Sequence, residues 1–285
     1  MKVSLLGTGL MGAPMARHLA RVHDLTVWNR SQARAITLSD VAKIAQTADV
    51  ACAGAEVVIT MLLDGPATLA VLVDDVMAAA APGALIIDMG SVDPETDKAL
   101  AKKAAGHGLR FVDAPVSGGV AGAEAASLAI FVGGETADFD VALPILSLLG
   151  RPTALGPVGA GQVAKLANQL IVATTIGAVA EAFHLAEAAG CDPSTLREAL
   201  KGGFADSRIL DLHGARMVSG NFTPGGRSVA QLKDLDNAMA VAKSVGVDLP
   251  LSQTVTAAFR DFVEVHNGGE MDHAAYFEWL SLRRS

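Results

Sequence analysis

The chain has 285 residues, 51% hydrophobic, 18% charged and only 4% aromatic. That length corresponds to roughly two domains, and the low charge excludes a disordered chain. With 22 basic against 30 acidic residues and a net charge of −8, there is no basic surplus to neutralise phosphates, which argues against nucleic acid as a partner.

A mean hydropathy of +0.39 raises the question of a membrane. The longest candidate, residues 170–180, is bounded by Asn168, Gln169 and Glu181. It falls short of the roughly 20 apolar residues that a span needs, so it reads as a buried helix with no membrane role. Lys2, an apolar run and a small-residue stretch at 13–16 imitate a signal peptide, but a glycine pattern explains the same residues better. Cys52 and Cys191 lie far apart without a CxxC partner. They suggest a reducing, cytoplasmic setting and leave open a single disulfide between them.

In chain order, residues 2–6 read as a strand, 9–21 as a helix and 25–28 as a strand. Strands are expected at 57–62, 85–89, 109–112 and 128–132, with a helix at 94–105. Continuous apolar runs alternating with helices predict parallel strands buried on both faces. The pattern changes near Gly156. A long helix is expected over 162–189, ending at Gly190, and Asp192-Pro193 restarts a helix with an N-cap and a proline. Further helices are expected at 206–218, 229–245, 251–266 and 273–280. The fold class is an α/β domain followed by an all-α domain, joined by the long helix, with domains at 1–158 and 159–285. Ala173, Gly177 and Ala180 are small residues at helical spacing that would let another helix approach.

Gly7-Thr8-Gly9-Leu10-Met11-Gly12 is GxGxxG, placed directly after the first strand and opening a helix. In that context it reads as a dinucleotide fingerprint, with glycines for a tight turn, pyrophosphate approach and helix packing. The end of the second strand normally carries an acid for the adenine ribose. Here Asn29-Arg30-Ser31 stands instead. Arg30 suits a 2′-phosphate, with Arg34 in support, which points to NADP while leaving NAD open.

Ser117, Gly118 and Gly119 form a sharp turn able to expose backbone N–H groups to a small carboxylate; a plain connecting turn reads equally well. Lys165 lies early in the long apolar helix, with Asn168 and Gln169 on its face. Such a lysine either protonates a developing alkoxide or merely packs its stem while its amine reaches water. No His, Cys, Asp or Glu set has metal-ligand spacing, so no metal is expected.

GTGLMGAPMARHL, ITML, DMGSV, DAPVSGG, GAGQVAKLANQ and KDL occur in this order. On these motifs the chain resembles the β-hydroxyacid dehydrogenase family, the group of 3-hydroxyisobutyrate dehydrogenase and tartronate semialdehyde reductase, over essentially its whole length. The resemblance implies a Rossmann domain, an all-helical substrate and oligomerisation domain, and an active site in the cleft between them. It implies that Lys165 is the catalytic acid/base and that Ser117, Gly118 and Gly119 bind a substrate carboxylate. Gln169 stands where many members have asparagine, and the Asn168-Gln169 pair resembles tartronate semialdehyde reductases; either amide could contact substrate. Cofactor contacts are implied for Leu10, Met11, Met61, Leu62, Ser91 and Lys233. The expected activity is NADP-dependent interconversion of a short 3-hydroxy acid and its semialdehyde or 3-oxo acid in a homodimer or homotetramer. Alternatives are a succinic semialdehyde or glyoxylate reductase, an imine reductase, and a non-catalytic NADP-binding module. Leu63, where the family often has proline, and a loose fit over residues 36–56 depart from the pattern.

Overall fold

A computed structural model describes residues 1–282. They form two compact units that divide after Lys165. The nine strands of the first unit are β1 (Lys2–Leu6), β2 (Asp24–Trp28), β3 (Lys43–Ile44), β4 (Val57–Thr60), β5 (Leu85–Asp88), β6 (Arg110–Asp113), β7 (Val116–Ser117), β8 (Leu128–Gly133) and β9 (Gly150–Gly156). Its helices are α1 (Gly12–Leu19), α2 (Gln32–Ile36), α3 (Ala48–Cys52), α4 (Gly65–Val71), α5 (Asp74–Ala79), α6 (Pro94–Gly106), α7 (Gly119–Glu124) and α8 (Thr136–Leu146).

The strands lie in the order β3-β2-β1-β4-β5-β6-β8-β7, with β9 paired to β8. From β3 to β6 every pairing is parallel. The order reverses between β1 and β4, the switch point at which a doubly wound sheet opens a crevice for ligands. Alternate residues of the central strands feed two cores. Leu5, Ile59 and Ile87 face α1 and α8, where Met15, Leu19, Ile145 and Leu146 are buried. Leu6, Val58 and Ile86 face α3, α5 and α6, where Cys52, Met77 and Leu100 are buried. All four residues of β4 and of β5 are buried, the reason both read as unbroken apolar runs.

The all-parallel expectation fails at the far edge. β8 runs antiparallel to β6 and β7 and parallel to β9. The two-residue strands β3 and β7 are too short to show periodicity. β9 escaped detection because it is an edge strand: GRPTALG carries a proline and is largely exposed. α1 starts at Gly12 rather than at residue 9, because the preceding glycines form the turn itself. Both cysteines are free, Cys52 buried and Cys191 exposed, so the disulfide left open by the sequence is not formed.

The helix α9 (Ala160–Ala188) runs 29 residues. It is longer than its apolar run suggested, long and apolar enough by length and composition to cross a membrane. Its Ala173, Ile176, Ala180 and Phe183 nevertheless form a helical row inside the second unit's core, beside Leu210, Leu235, Phe259 and Trp279. It is a core helix. The other helices are α10 (Pro193–Leu200), α11 (Arg208–Ser219), α12 (Ser228–Ser244), α13 (Pro250–Arg260) and α14 (Tyr276–Leu282). Asp192 caps α10 by accepting from Thr195 N, and Gly190 ends the stretch before it at φ +85°. The helix expected over 251–266 changes to a π turn at Asp261–Val265. Phe259 stacks on Tyr276 at 4.8 Å between ring centroids, and Trp279 Nε1 donates to Asp261 at 2.9 Å.

Candidate active site

The ends of the parallel strands carry most of the residues singled out by sequence. After β1 the three glycines differ physically. Gly7 has φ +108°, and its N–H donates to Trp28 O at 2.8 Å. A Cβ there would lie 2.4 Å from Met61 O, and one at Gly12 would lie 1.9 Å from Gly7 O. The first glycine therefore permits the turn and the third lets α1 close on it. At Gly9 the nearest atom to a Cβ is Arg34 Nη1 at 4.0 Å, so this side of the loop is open. That is the shape a dinucleotide pyrophosphate needs, and the residues present fit the group. Leu10 is exposed and Met11 half-buried beside it.

Asn29 acts on the loop rather than standing free. Its Oδ1 accepts from Thr8 N at 3.0 Å and its Nδ2 donates to Ser31 O at 3.1 Å. Arg30, Ser31 and Arg34 are exposed at the same strand end. Met61 and Leu62 follow β4, their carbonyls against the positions where Gly7 and Gly90 lack a side chain. Ser91 is half-buried in the turn after β5.

Ser117 ends β7 half-buried, and Gly118 and Gly119 are exposed at φ +139° and +62°. These two backbone conformations favour glycine and leave the turn without side-chain cover. Lys165 is only 9% exposed. It sits in the second turn of α9, whose start is pressed against the sheet. A Cβ at Gly161 would lie 2.3 Å from Phe131 O.

Sequence reasoning missed a buried polar cluster behind these turns. Asp88, Asp97, Asp113 and Gln162 are all fully buried. Asp113 Oδ1 accepts from Gly159 N at 2.7 Å and its Oδ2 from Gln162 N at 2.8 Å. Gln162 Nε2 donates to Gly90 O at 2.9 Å and to Asp97 Oδ2 at 2.8 Å, and its Oε1 accepts from Val92 N at 3.2 Å. Thr60 Oγ1 and Gly90 N both donate to Asp88 Oδ1. Burial, followed by the charge of Asp88, pushes the Asp97 carboxyl far up. Burial also raises Asp113 to about 6, against the opposing pull of its Gly159 and Gln162 N–H bonds. The sequence carries only a trace of it: an aspartate ends each of the strands LIID and RFVD.

In the second unit, Gln169 is bound to α12. Its Nε2 donates to Asp234 Oδ2 at 2.8 Å and to Gln231 Oε1 at 3.3 Å, and Gln231 Nε2 returns a bond to Gln169 O. Asn168 Nδ2 donates to Gln169 Oε1 at 2.9 Å. Lys233 pairs with Asp234 at 3.1 Å. Asp234 thus joins Gln169 and Lys233, and Asn168 is linked to it through Gln169.

Among the described residues the fold also gathers a group that sequence spacing did not reveal, His213, Asp272 and His273, close enough together to hold a metal ion. Asp272 is committed elsewhere. Its oxygens accept from Gly225 N, Gly226 N and Ala274 N, and Arg216 lies 3.3 Å away. The carboxyl is buried, and hydrogen bonding outweighs that burial to hold it well below the usual carboxylate range. The chemistry of this donor set is that of a loop anchor.

The profile of the NAD-binding domain of 6-phosphogluconate dehydrogenase matches residues 2–167. That of the NAD-binding region of NADP-dependent 3-hydroxyisobutyrate dehydrogenase matches 159–280. The chain is 39% identical to 2-hydroxy-3-oxopropionate reductase of Escherichia coli, covering 99% of this chain and 98% of that enzyme. It is 36% identical to 3-hydroxyisobutyrate dehydrogenase of Pseudomonas aeruginosa, over 95% and 94%. The structure of Mycobacterium tuberculosis 3-hydroxyisobutyrate dehydrogenase with L-serine superposes with a TM-score of 0.89 at 31% identity, covering 99% of each chain. With the open glycine loop and the reversed sheet order, these likenesses show that the chain belongs to the β-hydroxyacid dehydrogenase family of NAD(P)-dependent hydroxyacid dehydrogenases.

Proposed function

We propose that the protein is an NADP-dependent reductase of a short semialdehyde or 3-oxo acid, with Lys165 as its acid/base and tartronate semialdehyde or the 3-hydroxyisobutyrate couple as the leading substrate. The observation that carries this reading is Lys165 itself, a lysine only 9% exposed near the start of an apolar helix. Burial disfavours a charged amine, so a lysine kept there is suited to giving and taking a proton.

A nicotinamide cofactor, when bound, would supply or accept the hydride. Gly7, Gly9 and Gly12 would hold its pyrophosphate, and Leu10, Met11, Met61, Leu62, Ser91 and Lys233 would serve the rest of the cofactor. Ser117, Gly118 and Gly119 hold the substrate carboxylate through a hydroxyl and exposed N–H groups. Lys165 stabilises the charge that develops on the carbonyl oxygen and protonates it; in the oxidative direction it takes the proton back. Either Asn168 or Gln169 supplies an amide for the substrate; Gln169 is bonded to Asp234 and Gln231, and Asn168 to Gln169.

For NADP the support is electrostatic. No carboxylate stands at positions 29–31, Arg30 is exposed there, and Asn29 is used to brace the loop. The match to a profile described as NADP-dependent agrees. A homo-oligomer is favoured by Ile171 and Leu185, large apolar side chains exposed on α9. The free thiols are compatible with a cytoplasmic setting.

The test is a screen of NADPH and NADH consumption over tartronate, methylmalonate and succinic semialdehydes, glyoxylate and sulfonate analogues. The expected result is a higher kcat/KM with NADPH on a three-carbon semialdehyde acid. Equal efficiencies with both cofactors would overturn the NADP assignment, and turnover of imines alone would overturn the substrate class.

A further inference from the structure

Gln162 lies three residues before Lys165, and both are buried. At 1.5 Å per residue they are about 4.5 Å apart along the helix axis, and the i, i+3 spacing places them on neighbouring parts of one face. Nothing in the proposed chemistry uses Gln162, yet its amide spends two donors and one acceptor inside the protein. Those bonds go to the two ends of the turn that carries Ser91, at Gly90 O and Val92 N, and to Asp97 on α6. The main chain of Gln162 and that of Gly159 are gripped by Asp113. Asp113 ends β6, the strand that leads into Ser117. The start of α9 is therefore tied to both turns that bear ligand-binding residues.

Close packing makes the tie stiff. A Cβ at Gly133 would lie 2.3 Å from Asp113 Oδ1 and 2.8 Å from Gly161 N, and one at Gly161 would lie 2.7 Å from Asp113 Oδ2. The helix start cannot slide along the sheet without breaking charge-assisted bonds that are among the stronger ones in proteins.

We infer that Gln162, seated on the Asp113-bound start of α9, is a positioning residue that fixes Lys165 relative to the Ser91 turn. The inference rests on Lys165 as the acid/base. A proton donor displaced by about 1 Å costs on the order of 10²-fold in rate, so a helix start held from two sides is a device for rate rather than for affinity. Asp97 supports the arrangement: its Oδ2 accepts from Gln162 at 2.8 Å, and burial with the neighbouring charge of Asp88 raises its carboxyl, which favours the neutral form there.

The experiment is a double-mutant cycle on the full-length enzyme with NADPH and tartronate semialdehyde. Gln162→Met keeps the chain length and removes all three side-chain bonds. It is expected to lower kcat by about 10- to 100-fold while leaving the NADPH Kd and the substrate KM close to wild type. In a Lys165→Met background the same change should have almost no further effect, because it acts through the lysine. A wild-type kcat in Gln162→Met, a loss carried by KM alone, or losses that multiply in the double variant would overturn the inference. If Gln162→Met does not fold, Gln162→Asn, which is one methylene shorter and cannot span both turn ends, carries the same cycle. Full turnover in Lys165→Met alone would instead overturn the acid/base reading, so the two failures are distinguishable.

Discussion

In the first unit the core is aliphatic and lies on both faces of a sheet, and the tightest contacts are between backbone atoms. In the second unit a single core is filled by Phe183, Phe259, Phe262, Tyr276 and Trp279, and much of α9 is left at the surface. The difference separates two tasks. The sheet unit fixes backbone turns to within the width of a methyl group and buries Thr60, Asp88, Asp97, Asp113 and Gln162 to do so. The helical unit supplies bulk, an amide network around Asp234, and an apolar helix face. On the proposed function, geometry-sensitive chemistry hangs on the unit in which a displacement meets backbone, and the proposed association on the unit in which bulk and surface dominate.

The largest expected effect tests the aromatic half of that comparison. Phe259→Ala should cost about 3–5 kcal/mol of unfolding free energy, against about 0.5–1.5 kcal/mol for Ile59→Val in the sheet. Denaturant melts read both, and equal losses would contradict the contrast.

A second pair uses one substitution in both units. Gly12→Ala drives a Cβ to 1.9 Å from Gly7 O, so it should destabilise by about 1–3 kcal/mol or more. At Gly177 no atom outside its own helix backbone lies within 4 Å of a Cβ, so Gly177→Ala should stabilise the isolated chain by up to about 1 kcal/mol. A loss of stability at Gly177 accompanied by a smaller assembly on size exclusion would show that a second copy packs there.

The smallest effect concerns protons. The carboxyls of Asp97 and Asp113 are raised on folding, Asp113 to about 6. A raised acid means that the folded state binds more protons than the unfolded one. Its stabilising contribution is full below about pH 4 and is lost as pH rises through the folded value. Asp97, raised by burial and by the charge of Asp88, should contribute a fall in stability as pH rises towards neutrality. Asp97→Asn keeps a donor towards Asp88 and an acceptor for Gln162, and it should flatten that slope. An unchanged slope would show that Asp97 is ionised when folded.

Most of this was legible where local chemistry decides structure. The GxGxxG loop, the apolar strands β4 and β5, the proline-capped helix α10 and the long α9 each carry their signal within a few residues. β9 and the two-residue strands were not legible, because an exposed edge and a short pairing have no pattern of their own. The Asp88, Asp97, Asp113 and Gln162 cluster was hidden for another reason: its members come from β5, α6, β6 and α9, and only the folded sheet brings them together. The same holds for Asp272 with His213 and His273, where metal-like residues converge around a carboxylate already satisfied by backbone N–H groups.

The central claim is that Lys165 moves the proton. Single-turnover reduction of tartronate semialdehyde with saturating NADPH, comparing wild type with Lys165→Ala, tests it most directly. The account predicts a fall in the hydride-transfer step of about 10²- to 10⁴-fold with NADPH affinity unchanged. Near-wild-type turnover of the variant at saturating substrate would contradict it.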